Sequence, residues 1–421
     1  MSLSRSSAPS VASRSSASPR PPSLPQLLAA AGGIYTAQSL VGGLTFLGLP
    51  AILRAENVAL DQIGLVSLAM LVWALKFLWA APVERLRLRP DGYRRSRRLV
   101  LLGEALVVAA LLVFGLNGGA EFPTLLALLI VMAIASATVD IVCDAFVIEQ
   151  FSESRRGLGN IAQVGGGYFG MIFGSGLFVA AYSALGWMAA SLILAVLVAL
   201  LSIPMTTIRE PRGEVFSPIL APSLKNGLRR REVRIGIAMT IVLELGGRVA
   251  QALAGPVLVD ADLPLATLGI LNGIGGVAAG LAGTALGGLV SHRLGGRRAM
   301  FAVASTHVVT LALLAIAIAA GLANLPLLAG LFVIESAMMA AGFVTSYARL
   351  MGLASPSQPG VDFTLFQSAS AITAALCGMT AGILATHAGY AATFGLAAAL
   401  AAMAPPLLIV FETRLAKGPL P

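Results

Sequence analysis

Charge is scarce in this chain of 421 residues, where Asp, Glu, Lys and Arg together make up 11%, against roughly 25% in an average soluble domain. With 57% hydrophobic residues, a water-soluble globule of this size is excluded. Cysteine is nearly absent: Cys143 and Cys377 each sit inside an apolar run, so no disulfide framework is implied. No HExxH, phosphate-binding loop or nucleophile elbow occurs, which argues against a membrane-embedded enzyme and against ATP as the energy source. No cofactor and no protein metal site are expected. The first two dozen residues lack any acid and are rich in Ser, Pro and Arg, a composition that cannot bury a core. They read as a disordered cytoplasmic tail, and the same composition suits an organellar transit peptide.

What the chain does have is long apolar runs. Outside the tail and one polar central stretch, it divides into about twelve blocks of ~31 residues, each enough for a ~20-residue membrane helix and a turn. Predicted helices fall at Gln26–Pro50, Leu60–Pro82, Leu99–Leu116, Pro123–Ile148, Leu158–Tyr182 and Gly186–Ile208. A second set follows at Val233–Val259, Leu265–Val290, Ala299–Leu322, Leu325–Leu350, Phe363–Thr386 and Tyr390–Phe411. A bilayer core offers no water to satisfy backbone groups, so such helices must bundle. The expected fold class is an all-α polytopic membrane protein with twelve transmembrane helices in two six-helix halves. Residues 1–24 form the tail, 25–208 the first half, 209–232 a cytoplasmic linker, 233–413 the second half and 414–421 a C-terminal tail.

The net charge of +9 is a matter of topology. Of the 28 Lys and Arg residues, 25 fall in the N-terminal tail, alternate loops, the linker and the C-terminal tail. Only Arg54 lies at the opposite face, and Lys76 and Arg248 lie within helices. Cationic loops stay in the cytoplasm, so both termini are expected there and no nucleic-acid partner is implied. The partners are the bilayer and a small-molecule solute, and a monomer is expected.

The halves echo each other. Gln163 to Gly174 and Gln367 to Gly378 share one spacing, and both helices run on to a Gly-aromatic pair, Gly186-Trp187 and Gly389-Tyr390. The loop beginning Glu84-Arg85 and ending Arg97-Arg98 has a counterpart beginning His292-Arg293 and closing on Arg297-Arg298. Two halves joined by a polar linker are the organisation of transporters that rock about a central site, which argues against a passive channel. Residues 165–170 fit the GxGxxG pattern, but no predicted strand precedes them, so a dinucleotide site is not expected. Gly166, Gly170 and Gly174 in the fifth predicted helix, and Gly276, Gly280, Thr284 and Gly288 in the eighth, instead form small-residue stripes. These stripes are expected either to slide against each other across the halves or to serve static packing.

Ionisable groups at membrane depth are functional candidates by default. Asp140 and Asp144 project from one helix face, and Lys76 is too deep to reach the interface and needs a partner. Two aspartates sharing one lysine cannot both be compensated, so one is left to exchange a proton; a fixed structural pair is the alternative. Glu244 and Arg248, again four apart, either neutralise each other or leave Arg248 to anchor an anionic solute. Glu104, Glu335, His307 and His387 are weaker candidates. Tyr35, Gln38, Gln163, Tyr168, Gln251, Asn272, Tyr347 and Gln367 are candidate hydrogen-bonding groups of a central cavity.

Residues 73–85, Arg97-Arg98, the stretch from Asp140 to Asp144 and Arg155-Arg156-Gly157-Leu158-Gly159 resemble the branch of the major facilitator superfamily that holds muropeptide permeases and acetyl-CoA transporters. The likeness is specific in the first half and looser in the second. Residues 35–43, 48–54 and 360–367 look more like single-subunit siderophore permeases of the rhizobactin and pyochelin type. The resemblance implies proton-driven import of a ferric siderophore across the bacterial inner membrane, with a muropeptide permease or drug transporter as rival readings. It also implies a cytoplasmic gate in which Glu84, standing where the family usually has Asp, pairs with arginines of the loops holding Arg85, Arg97, Arg98, Arg155 and Arg156. At His292 the acid is missing from the echo of this motif, so a matching gate in the second half is not expected.

Overall fold

The computed structural model describes residues 22–58, 62, 65–66, 69–89, 91–118, 121–210, 221–264, 267, 271–321 and 324–417. Nearly all of the expected N-terminal tail, the middle of the expected linker at 211–220 and the last four residues lie outside these. The described chain is helical, and among the described residues its β content is one isolated bridge between Leu88 and Arg94. Eight helical runs are long and apolar enough to span a membrane. Two of them, Arg156–Thr206 and Pro359–Ala416, contain 51 and 58 residues. Straight helices of those lengths would reach about 76 and 87 Å, more than twice the ~30 Å hydrocarbon core.

Each of these two runs turns back at a glycine. Gly186 (φ 81°, ψ 176°) and Gly389 (φ 79°, ψ 168°) adopt a left-handed backbone that only glycine takes without strain. The reversal is visible in contacts. A Cβ on Gly33 would overlap the Leu201 carbonyl while its neighbour Gly32 faces Ala162, so residues before and after Gly186 lie at the same level. Likewise Leu245 accepts a contact from Cys377 Sγ at 3.9 Å while the adjacent Gly246 abuts Ala397 and Ala401. The Gly-aromatic pairs noted in the sequence are therefore tight helix-to-helix turns. Trp187 after the first of them is fixed by its Nε1, which donates to the Phe114 carbonyl at 2.7 Å.

The helices are numbered α1 (Leu24–Ala55), α2 (69–87), α3 (Ser96–Asn117), α4 (Phe122–Gln150), α5 (156–185) and α6 (187–206), then α7 (Arg231–Asp260), α8 (271–294), α9 (Gly296–Ala319), α10 (Leu325–Met351), α11 (359–388) and α12 (390–416). Most begin within three residues of the expected positions, while α2 runs on to Arg87, beyond Pro82. The described parts of α2 and α8 start later than expected because 59–61, 63–64, 67–68, 265–266 and 268–270 lie outside the described residues. Proline in the first turn starts α1, α4, α10 and α11, where its missing N–H costs nothing. Asn324 caps α10 by accepting the Leu327 N–H at 3.2 Å. Large apolar side chains point outward, Leu116 at 72% and Ile316 at 63% exposed, a surface suited to lipid.

In the first half, α1 packs along α5, and in the second α7 packs along α11. The small-residue stripe of α5 serves the first of these packings and not the contact between halves. Gly166 approaches the Gly32 carbonyl, Gly170 the Thr36 carbonyl, and Gly174 the Leu40 carbonyl, all on α1. The stripe of α8 does face α5: Gly280 meets Tyr168, Thr284 lies against Gly165, and Gly288 meets Ile161. Three consecutive glycines, 165–167, present two faces of one helix at once, so the spacing alone did not reveal which face looked where. From Gly157–Ser291 to Tyr168–Gly280 the halves are zipped together along antiparallel α5 and α8. Beyond Tyr168 they part. The zipped end carries Leu24, Glu412 and the arginine-rich turns, and Arg231 there donates to the Arg414 carbonyl at 2.7 Å; it is called the basic end below.

Gly174→Ala should lower the thermal unfolding midpoint of the detergent-purified protein by the equivalent of about 1–3 kcal/mol, as overpacking against backbone does. Gly176→Ala, with open space at its Cβ, should leave the midpoint within the error of the measurement. Equal effects would remove the α1–α5 stripe from the account.

Candidate functional site: buried charges and the cavity between the halves

Lys76 stands at a one-residue interruption of α2, between helical segments Ala69–Leu75 and Phe77–Arg87, and is 3% exposed. Its ammonium forms an ion pair with Asp140 on α4 and donates to Gln367 Oε1 on α11. One lysine thus joins α2 and α4 of the first half to α11 of the second. Gln38, with its amide turned to suit the neighbouring carboxylate, donates to Asp140 Oδ1 at 2.9 Å.

Asp144, one turn further along α4, is fully buried. Of the two aspartates, Asp140 is the one in the ion pair with Lys76. Asp144 is held by neutral donors, Tyr35 Oη at 2.7 Å and Gln163 Nε2 at 2.8 Å, both on Oδ1. Asp144 Oδ2 and Gln163 Oε1 are buried without a hydrogen-bond partner. The local charge balance is therefore one ammonium to two carboxylates, and the second carboxylate keeps an open position.

Glu244 and Arg248 pair within α7 as their spacing predicts, Nη2 to Oε2 at 2.9 Å. Ser370 on α11 closes the group, donating to Glu244 Oε2 at 2.6 Å and accepting from Arg248 Nη2 at 3.1 Å. Arg248 also lies over the Phe343 ring, 5.0 Å from its centroid, and reaches Gln251 Oε1 at 3.4 Å. Sequence reasoning missed Ser370 and Phe343. The available signal was position: Ser370 lies three residues after Gln367, hence on the same face of α11, so this one face serves Lys76 and Glu244. His307 and Glu335 pair at 3.4 Å inside the second half. Glu104 on α3 is buried, with Oε1 unpartnered.

Beyond the zipped contact lies a cavity of about 750 Å³ between the halves. Tyr168, Ser175, Gln251, Ser336 and Phe343 line it, together with apolar residues of α5, α7, α8 and α10. Three π-helical turns, Leu44–Gly48, Phe173–Leu177 and Leu271–Gly275, lend Leu47, Ser175 and Ile274 to its wall. The extra residue per turn rotates neighbouring side chains, a common device at functional sites. Of the candidate hydrogen-bonding groups, Tyr168 and Gln251 line this cavity. Tyr35, Gln38, Gln163 and Gln367 belong instead to the buried charge cluster, and Tyr347 packs at a tilt against Phe343 and edge-to-face against Phe363. The Asn272 side chain lies outside the described residues.

At the basic end the expected gate is rearranged. Glu84, fully buried, is held by Arg87 at 2.8 Å within its own helix, and Arg87 also pairs with Glu149 on α4 at 2.8 Å. Across the halves, Glu84 Oε1 accepts the Gly360 N–H of α11 at 3.3 Å. Arg85 is exposed and donates to the Pro222 carbonyl at 2.7 Å. The Arg97 amide donates to Glu210 at 2.8 Å and its guanidinium to the Ile208 carbonyl at 3.2 Å, while Arg98 is exposed. The second half has an acid-base pair at the same end, Arg349–Glu412 at 2.7 Å, which sequence comparison of the two loops did not anticipate.

Arg87→Met should destabilise the protein by about 3–5 kcal/mol, because it leaves the buried Glu84 without a cation, beside a Glu149 that keeps only Arg94. Arg85→Ala should change stability by less than about 0.5 kcal/mol. Thermal or denaturant unfolding of the two variants decides, and similar values would return the gate to Arg85.

The comparisons with known proteins agree with this geometry. An anhydromuropeptide permease of Escherichia coli is 27% identical over 272 residues, which are 63% of this chain and 55% of that protein. A transporter of Rickettsia felis called AmpG 4 is 25% identical over 280 residues, 62% of this chain and 66% of its own. This chain therefore matches only about half to two thirds of the length of these curated relatives. Among solved structures, a bacterial homologue of the iron transporter ferroportin in an outward-facing state superposes with a TM-score of 0.69 at 16% identity, covering 92% of this chain and 99% of that one. The transporter FucP in its outward conformation gives 0.70 at 15%, covering 93% and 98%. A human organic anion transporter gives 0.71 at 16%, covering 92% and 100%; at such identities the likeness is one of fold. With the Major Facilitator Superfamily model matching residues 31–316, on top of two half-bundles zipped at one end around buried charges, the chain belongs to the Major Facilitator Superfamily.

Proposed function

We propose that this protein is a secondary transporter that imports a muropeptide-type solute, a sugar bearing a peptide, across the bacterial inner membrane together with protons. The kinship to anhydromuropeptide permease over 63% of the chain is the observation that carries the solute class. The ferric siderophore first expected has no support among these relatives, and the muropeptide reading takes its place. The cavity suits such a solute chemically: Gln251, Ser175, Ser336 and Tyr168 offer hydrogen bonds to sugar hydroxyls and amides, and Arg248 behind Phe343 offers a cation to a peptide carboxylate.

The basic end is cytoplasmic by the distribution of Lys and Arg, so the state described is closed to the cytoplasm and open to the periplasm. In this reading Asp144 is the proton carrier. Its Oδ2 is the open position of the cluster, and Lys76 already serves Asp140. Glu244 is occupied by Arg248 and Ser370, and arginine keeps its proton at any physiological pH, so this second cluster binds solute and does not cycle protons. Uptake of a proton at Asp144 changes the charge facing Lys76 and loosens its hold on Gln367. Release of Gln367 and of the Glu84–Gly360 contact lets the basic ends part and the solute leave inward. Glu84 and Arg87 act here as the gate.

Accumulation of a radiolabelled anhydromuropeptide in right-side-out vesicles under an imposed pH gradient tests the reading. The wild type should accumulate it. Asp144→Asn should abolish gradient-driven accumulation while preserving counterflow exchange, and Arg248→Ala should raise the half-saturation concentration about tenfold or more, a loss of ~1.4 kcal/mol. Accumulation of ferric siderophore but not of muropeptide would overturn the solute, and unaltered pH dependence in both Asp140→Asn and Asp144→Asn would overturn the coupling.

A further inference from the structure

A second cavity, of about 690 Å³, opens at the basic end where the α4–α5 turn, the α8–α9 turn and the ends of α10 and α12 meet. It is separate from the solute cavity and has no part in the function proposed above. Its polar wall comes from both halves: Arg155 and Arg156 from the first, and Ser291, His292, Arg297 and Arg349 from the second. Glu153 and Glu412 are its acids. Arg349 is satisfied by Glu412 in a two-pronged pair, at 2.7 and 2.9 Å. Arg156 is not: among the described residues its guanidinium makes neither a hydrogen bond nor an ion pair, and its Nε is buried without a partner. Glu153, the acid nearest in sequence, is exposed.

Two further features face the same space. Ser291 is 9% exposed, and its Oγ is buried with no partner. A Cβ on Gly352 would lie 3.0 Å from Arg156 Nη1 and 3.5 Å from Arg349 Nη1, so two like-charged guanidinia from opposite halves share one corner. The first turn of α9 also borders the cavity, at Gly296-Arg297, where the leading backbone N–H groups of a helix have no acceptor within it; the Arg156 N–H at the start of α5 is already taken by the Glu153 carbonyl. A half-buried guanidinium whose buried Nε lacks an acceptor, an idle buried hydroxyl and the start of α9 around one space suit a compact guest with several acceptor oxygens and negative charge.

We propose that this cavity is a binding site for a phosphate-class anion, either free phosphate or the phosphodiester of an anionic phospholipid. The anion bridges Arg156 of the first half to Ser291 and Arg297 of the second. Because its ligands come from both halves, an occupied site ties the basic ends together and favours the state described here.

Thermal unfolding of the full-length purified protein tests this, with inorganic phosphate titrated against chloride at equal ionic strength in neutral detergent, and with phosphatidylcholine nanodiscs prepared with and without phosphatidylglycerol. Saturable stabilisation by phosphate in detergent assigns the free anion, and stabilisation by phosphatidylglycerol alone assigns the headgroup. In either arm Arg156→Gln should weaken the apparent affinity about tenfold or more, Ser291→Ala should weaken it less, and Arg293→Gln, outside the wall, should leave it unchanged. Arg156→Gln should fold at least as stably as the wild type in chloride, since it removes a cation without a partner; if it fails to fold, Ser291→Ala carries the test. Phosphate acting no better than chloride, with phosphatidylglycerol acting no better than phosphatidylcholine, would overturn the proposal, as would an unchanged affinity in both variants.

Discussion

The architecture turns on one buried cation. Lys76, at a break in α2, cannot be left uncompensated in a low-dielectric interior, and what compensates it comes from both halves: the carboxylate of Asp140 and the amide of Gln367. A charge that must be shared between two rigid bodies couples their separation to the charge state of the group around it. A packed apolar contact would hold the halves together without sensing protons, and an ion pair within one half would sense protons without holding the halves.

The rest of the bundle keeps this bridge in register. Within each half the helices approach closely, through glycine on α1 and α5, through Gly246 of α7 against the α12 backbone and through Gly236 of α7 against the Phe366 ring of α11, so each half moves as one piece. Between halves the contact lies toward the basic end, α5 against α8 and α10 and α2 and α4 against α11, with Glu84 meeting Gly360 there. The opposite ends part around the cavity. Rigid halves with a contact at one end only are the physical requirement for alternating access. The α11 face carrying Gln367 and Ser370 is the one element that touches both charged groups, so movement of α11 connects the proton side to the solute side.

Much of this was legible in the sequence because it follows from cost. Depth in an apolar run makes Lys76, Asp140, Asp144, Glu244 and Arg248 conspicuous whatever the fold, and the repeated Gly-aromatic pairs marked both helix reversals. Which of several similar residues does a job was not legible. Seven arginines crowd the stretch from Arg85 to Arg98, and only the geometry shows that Arg87 and Arg94 turn inward and that Arg87 is the one holding Glu84. The glycines of α5 face α1 because the helix phase fixes which of three neighbouring glycines looks where. Ser370 and Phe343 carried no charge to betray them. The solute cannot be read from burial or spacing at all, since a cavity with a cation and a few amides fits many anions, which is why the siderophore expectation rested on resemblance and gave way to kinship.

The direct test of the bridge is a distance. Both native cysteines are buried, so spin labels on Tyr93→Cys and Arg298→Cys, one exposed site per half at the basic end, can be placed without removing them. Pulsed electron-spin distance measurements on the wild type should give one narrow, short distribution. Gln367→Leu, and the charge-neutral pair Lys76→Met with Asp140→Asn, should each add a longer component as the basic ends separate. A distribution identical to wild type in both would contradict the account, and would mean that the halves are held by packing alone.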